Sequence, residues 1–297
     1  MALTFDDLPA QRAHALPDQR IADLNRELIE LLAGRAIPAV GFVNEDKLEV
    51  DGVIDDRRVA HLEAWLDAGL ELGNHTYSHP DLHRTTVETY LDDILRGERV
   101  TRRLLEARGE TPRWFRHPFL HTGTDLETRR RVTEFLATRS YRVAPVTIDN
   151  SEWIFARAYD LALDRRDAEL AARLGAAYVD YMLDMTRYYE GQSRALFGRE
   201  IPQVMLLHAN ALNADHLGSL LEGLRERGYA LVALEAALSD PAYASDDTYT
   251  GSGGITWLHR WALSRGVDRS VFAGEPTAPE WVQRTAGLRE SPRARRR

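Results

Sequence analysis

Not one cysteine occurs among the 297 residues. That absence excludes disulfides, thiolate metal sites and a cysteine nucleophile together, so any metal must be held by nitrogen and oxygen. No apolar run approaches the roughly 20 residues that span a bilayer, and the opening residues lack the pattern of a signal peptide. The compartment is not read from this: periplasmic or secreted if an export signal has been trimmed, cytoplasmic otherwise. A basic footprint for nucleic acid is also missing. The formal net charge is −8, and the basic cluster is confined to Arg293, Arg295, Arg296 and Arg297, in a tail of about 290–297 read as solvated disorder. Low-complexity tracts are lacking too, and 44% hydrophobic with 28% charged residues is the balance of an ordinary folded chain.

What is present alternates. Ala2 to Phe5 reads as a strand that stops at two aspartates, and Ile21, Leu24, Leu28, Leu31 and Leu32 mark an amphipathic helix after it. Strands follow at Ala39 to Val43, Glu71 to Gly73, Trp114 to Arg116, near Tyr141 to Ile148, Val204 to Leu207, and Tyr229 to Val232. Helices are expected between them, including Thr85 to Ala107 and a long stretch from about Ala158 to Leu196. Such alternation predicts a parallel sheet, closed like a barrel or open and doubly wound. In either version the active site lies at the carboxyl ends of the strands. The polar residues just after those strands are Asp6 with Asp7, His75 with His79, Arg116, Asp149 and His208.

Two imidazoles at i, i+4 in His75-Thr76-Tyr77-Ser78-His79 would point the same way on one helical turn. On spacing alone such a pair is as often two ordinary loop residues, and His83 continues the spacing. Asp6-Asp7 strengthens the metal reading, because adjacent carboxylates can divide the work of holding an ion and moving a proton. Two histidines plus one carboxylate leave open positions, which catalytic zinc requires. Singly, Arg116 reads equally as a surface ion pair, Asp149 as a helix cap and His208 as a satisfied histidine; the set outweighs these readings.

Thr4-Phe5-Asp6-Asp7, the His75 to His79 segment, Arg116-His117-Pro118-Phe119, Asp149-Asn150-Ser151-Glu152-Trp153 and Leu206-Leu207-His208 resemble, in order, the five motifs of the polysaccharide deacetylase family, the NodB-homology or carbohydrate esterase 4 group. The resemblance covers roughly residues 2–240. It implies an α/β fold, a distorted and incomplete (β/α) barrel of about seven parallel strands with a helical insertion at about 155–200. It further implies one divalent ion, zinc with cobalt, nickel or manganese as alternatives, held by Asp7, His75 and His79. Asp6 would be the general base held by Arg116 through a charge-assisted hydrogen bond, and His208 the general acid oriented by Asp149. The backbone N–H of Phe119, after Pro118, would bind the oxyanion, while Trp153 and Leu206 would wall the acetyl pocket. The implied partner is an acetylated carbohydrate, with an amide or ester of another kind, or mere sugar binding, as alternatives; oligomeric state is not implied.

Leu8 and Leu120 stand where the family usually has glycine. In the longer stretch before Leu206, Tyr178, Tyr181, Met185 and Tyr188 fall near helical spacing, as the core side of an inserted helix would. Residues 241–297 are expected to form an extension packed on the main domain. Its Gly251 to Trp261 run is no phosphate loop, since no Gly-Lys-Ser/Thr follows. Trp257 and Trp261, at i, i+4, mark a short packed helix.

Overall fold

A computed structural model of the chain describes residues 1–288; the basic tail lies outside them. Its strands are β1 (Ala2–Leu8), β2 (Ala39–Val43), β3 (Glu49–Val50), β4 (Val53–Ile54), β5 (Glu71–Asn74), β6 (Trp114–Phe115), β7 (Arg142–Val143) and β8 (Val204–His208). Six form one parallel sheet in the order β7-β6-β5-β2-β1-β8, and β3 with β4 make a separate antiparallel hairpin. This is the incomplete barrel expected, with six strands rather than about seven. Residues 229–232 make no ladder: Met1 donates its amino group to Ala230 O at 2.7 Å, Val232 N donates to Met1 O at 2.9 Å, and the pairing ends there.

Helices α1 (Asp18–Gly34), α2 (Asp56–Asp67), α3 (Val87–Arg96), α4 (Arg99–Glu106) and α5 (Leu126–Thr138) link the first strands. Helices α6 (Glu152–Asp164) and α7 (Ala168–Phe197) precede β8, and α8 (Ala211–Glu226), α9 (Leu234–Leu238), α10 (Trp257–Ser264) and α11 (Glu280–Thr285) follow it. Two of the long helices expected are each two helices. Between α3 and α4, Gly97 has its Cβ position only 2.3 Å from the backbone of Thr76, an approach that any side chain would prevent. Between α6 and α7 the chain turns, and Asp167 caps the new helix by accepting from Leu170 N at 3.0 Å.

Every residue of β1 is buried, as a central strand covered on both faces must be. Leu3 and Phe5 face a large core shared with α1, α7 and α8, while Ala2 belongs to a smaller cluster with Val40, Phe42, Trp114, Val204 and Leu234. Of the four aromatic and methionine positions expected on an inserted helix, Tyr178, Tyr181 and Met185 are buried in the large core. Tyr188 is partly buried against it and donates to Val271 O at 2.8 Å.

Candidate active site

Successive residues on a strand point to opposite faces, so adjacent carboxylates reach one pocket only if the strand is distorted between them. The β1–β2 register shifts between Phe5 and Leu8, and Asp7 adopts a left-handed φ of 72°. Asp6 and Asp7 thereby line one cavity of about 560 Å³ with His75, His79 and His208. Parallel pairing sets Asp6 directly opposite His208.

His75 leaves the end of β5, and its Nδ1 lies 2.8 Å from the Arg116 carbonyl, to which it donates. That leaves Nε2 free to ligate. The five residues His75 to His79 are not the helical turn expected: Thr76 and His79 both have left-handed φ, 69° and 57°. Asp93 fixes the loop instead, its carboxylate accepting from Tyr77 N at 2.8 Å, Ser78 N at 2.9 Å and Ser78 Oγ at 2.7 Å. One ligand atom each from Asp7, His75 and His79 lies within 4.8 Å of the others.

The donor set fits a divalent ion. Burial lowers His75 to about 3 and His79 to about 4, which favours the neutral imidazole that a metal ion takes as a ligand. Burial pushes Asp7 up, but the Lys47 ammonium and the nearby imidazoles outweigh it and hold the carboxyl below its ordinary range. Asp6 is raised, because burial exceeds the opposing effect of Arg116. Asp6 Oδ1 and Asp7 Oδ1 are both buried without a hydrogen-bond partner. Asp7 Oδ1 has the Lys47 ammonium at 2.7 Å, whereas the Asp6 oxygen has no such partner, and a buried carboxylate oxygen left so is costly unless a cation or water serves it.

Across the cavity, His208 Nδ1 is 2.6 Å from Glu152 Oε2. Glu152 is fully buried, and its other oxygen accepts from Asn213 Nδ2 at 2.9 Å and from Asn210 Nδ2. Burial alone would lower His208; the Glu152 carboxylate overrides it and raises the imidazole to about 9. Ligand-type and proton-donor-type histidines therefore coexist in one pocket with pKa values pushed apart, as acid–base catalysis requires.

The model of the polysaccharide deacetylase family matches residues 1–136. Over that stretch, just under half of its length, the chain is similar to the polysaccharide deacetylase family. It is 24% identical over 154 residues to a peptidoglycan-N-acetylglucosamine deacetylase of Bacillus cereus, a match covering 52% of this chain and 46% of that protein, so it spans about half the relative's length. Among solved structures, a family 4 carbohydrate esterase from Streptomyces lividans in complex with acetate shares 19% identity at TM-score 0.50, over 80% of this chain and 94% of that one. A mutant of a family 4 pseudoenzyme with restored enzymatic activity shares 17% at TM-score 0.52, over 80% of this chain and 66% of its own. These likenesses show the fold.

In this chain the third and fourth motifs depart from the pairings expected. Arg116 is fully buried, yet it donates to Thr4 Oγ1 at 3.0 Å and stands 3.8 Å from Asp6 Oδ2, an ion pair without the expected hydrogen bond. Asp149 does not orient His208, since Glu152 occupies Nδ1; it accepts from Asn150 N at 2.8 Å, and burial raises it to about 6. Phe119, with φ 56°, and Trp153 are half-exposed at the cavity rim, and Leu206 lies within it. Pro118 is buried beneath the rim as the first residue of the turn Pro118–Leu120. The rim's far side is Gly254, whose Cβ position falls 1.8 Å from the Phe119 carbonyl oxygen.

His83 stands apart from the Asp7 cluster. With Asp81 and His121 it forms a second group whose ligand atoms come within 4.8 Å. The His83 and His121 rings, however, stack 3.8 Å apart at 6°, and an imidazole ligates in its own plane. Parallel planes share no point for an ion. Asp81 instead bonds His121 Nδ1 at 2.6 Å, and Gly123 N donates to His83 Nε2 at 3.2 Å, tying two rim loops together.

Proposed function

We propose that this chain is a divalent-metal-dependent hydrolase that removes acetyl groups from an acetylated carbohydrate, with Asp7, His75 and His79 as ligands of one ion, zinc first. The observation that carries the reading is the cavity in which the Asp7 carboxylate and the His75 and His79 imidazoles face His208, itself bonded to the buried Glu152 carboxylate. When bound, the ion supplies an electrophile that acidifies water and polarises a carbonyl.

Asp6 takes the proton of the attacking water, its charge balanced by Arg116. The backbone N–H of Phe119 donates to the oxygen on which charge develops. His208 delivers the proton that lets an amine leave. Trp153 and Leu206 bound the space for the acetyl methyl, and the exposed faces of Phe119 and Trp153 meet the sugar.

The test is release of acetate from a panel of N-acetylated sugars, oligomers and glycan esters by zinc-loaded protein. Asp6→Asn keeps the shape of the base without its basicity, so it retains zinc while kcat falls by about 10²- to 10⁴-fold. Zinc bound and no acetate released from any member would refute the reading and leave sugar binding in its place.

A further inference from the structure

We propose that Lys47 sets how tightly the Asp7, His75 and His79 centre holds its ion, by placing an ammonium against the carboxylate that ligates it. The inference rests on the metal reading above. Lys47 lies in the single 3-10 turn Glu45–Leu48 that follows β2, is 8% exposed, and brings Nζ to 2.7 Å from Asp7 Oδ1. The contact is charge to charge, for its angles are not those of a hydrogen bond and Oδ1 keeps no such partner. The ammonium's hydrogen bond goes to Asn44 Oδ1 at 3.0 Å.

The turn is locked in place. Asn44 Nδ2 donates to the His75 carbonyl, and Asp46 N donates to Tyr77 O at 3.2 Å. Glu45 accepts from Val100 N at 2.9 Å and Thr101 N at 2.7 Å, and Arg58 donates to Lys47 O at 2.9 Å. The Lys47 backbone is thus fixed against the loop that carries both proposed histidine ligands, and burial and Asn44 Oδ1 hold its ammonium.

Charge then decides the effect. Asp6 faces Arg116 and Asp7 faces Lys47, so both carboxylates are balanced before a dication is added. A dication at Asp7 meets a like charge a few ångströms away, with little solvent to screen it. Lys47 keeps Asp7 in place when no ion is held and weakens the grip when one is. It acts through Asp7 and touches no reacting atom.

The experiment compares wild type, Lys47→Met and Lys47→Arg, each stripped by chelation, by zinc competition against a chromogenic chelator and by the zinc-induced rise in Tm. Methionine keeps the apolar stem and removes the charge; arginine keeps the charge. Lys47→Met binds zinc at least about 10-fold tighter than wild type and shows the larger rise in Tm, while Lys47→Arg stays within about 3-fold. Affinity equal to or below wild type in Lys47→Met overturns the inference. Should that variant fail to fold, Lys47→Gln is judged by the same criterion. His75→Ala run alongside separates the two readings: zinc retained there refutes the centre itself, whereas zinc lost there with Lys47→Met unchanged refutes the role of Lys47 alone.

Discussion

At the scale of single residues, the side chains that a sequence displays best are those that finish a strand. Asp6, Asp7, His75, His79 and His208 were legible because a reactive type sits where a parallel sheet opens. Their supporters were not. Glu152 looks like any acid in a helix's first turn, and its partner His208 is 56 residues away. Lys47 and Asp93 are equally anonymous until the fold places them. Glu152 nonetheless sets the pH behaviour. Its carboxylate raises His208 from about 6.5 to about 9, so the imidazole proposed as proton donor stays charged until alkaline pH. The stability it adds is fully present below the unfolded value and is lost as pH rises through about 9. In Glu152→Gln the alkaline limb of kcat moves to lower pH, and the decline of Tm between pH 7 and 9 flattens. A limb unmoved in that variant, followed by acetate release across pH, would assign the proton donor elsewhere.

At the scale of elements, the periodicity of apolar residues gave helices correctly but not their breaks. The stretch 85–107 is helical on pattern because glycine in a helix is merely unfavourable; only the loop lying against Gly97 explains why one helix stops and another starts. Gly97 has an ordinary φ of −79°, so alanine there meets no backbone strain and its cost is the collision with the backbone of Thr76 and Tyr77. Gly97→Ala should destabilise by about 1–3 kcal/mol, the range for overpacking, and weaken zinc binding by displacing His79. Thermal melts and zinc titration check both, and a variant with normal zinc affinity would separate the loop from the helix break. Helix α7 has a similar hidden duty. Tyr178 donates to Asn213 Oδ1, Asn213 donates to Glu152, and Tyr181 OH accepts from Ser151 N at 2.8 Å. Core packing was readable from its spacing; its phenols serving the active site were not, since a buried hydroxyl's partner is invisible in one dimension.

At the scale of the molecule, the parallel sheet was legible from alternation, while its edges were not, because residues 229–232 have strand-like composition but meet only Met1, beside a strand already paired on both sides. Residues 241–288 join the main core through Trp257, Leu258, Trp261 and Val282. Each such side chain gains about 1.5–3 kcal/mol on burial, against a total stability of roughly 5–15 kcal/mol for a typical protein. A chain ending at residue 240 should therefore lose its cooperative thermal transition, and a calorimetric peak at the full-length temperature would show the segment to be an appendage. The sheet order also imposes a timetable. Thr4 Oγ1 donates to Met205 O across 201 residues, so β1 waits for nearly all of the sheet's sequence before its outer neighbour exists. On the ribosome, the proposed ligands Asp7, His75 and His79 have emerged by residue 79, and the proposed proton donor His208 only at 208. Loop closure over such a separation makes the docking of β8 against β1 a late event of folding.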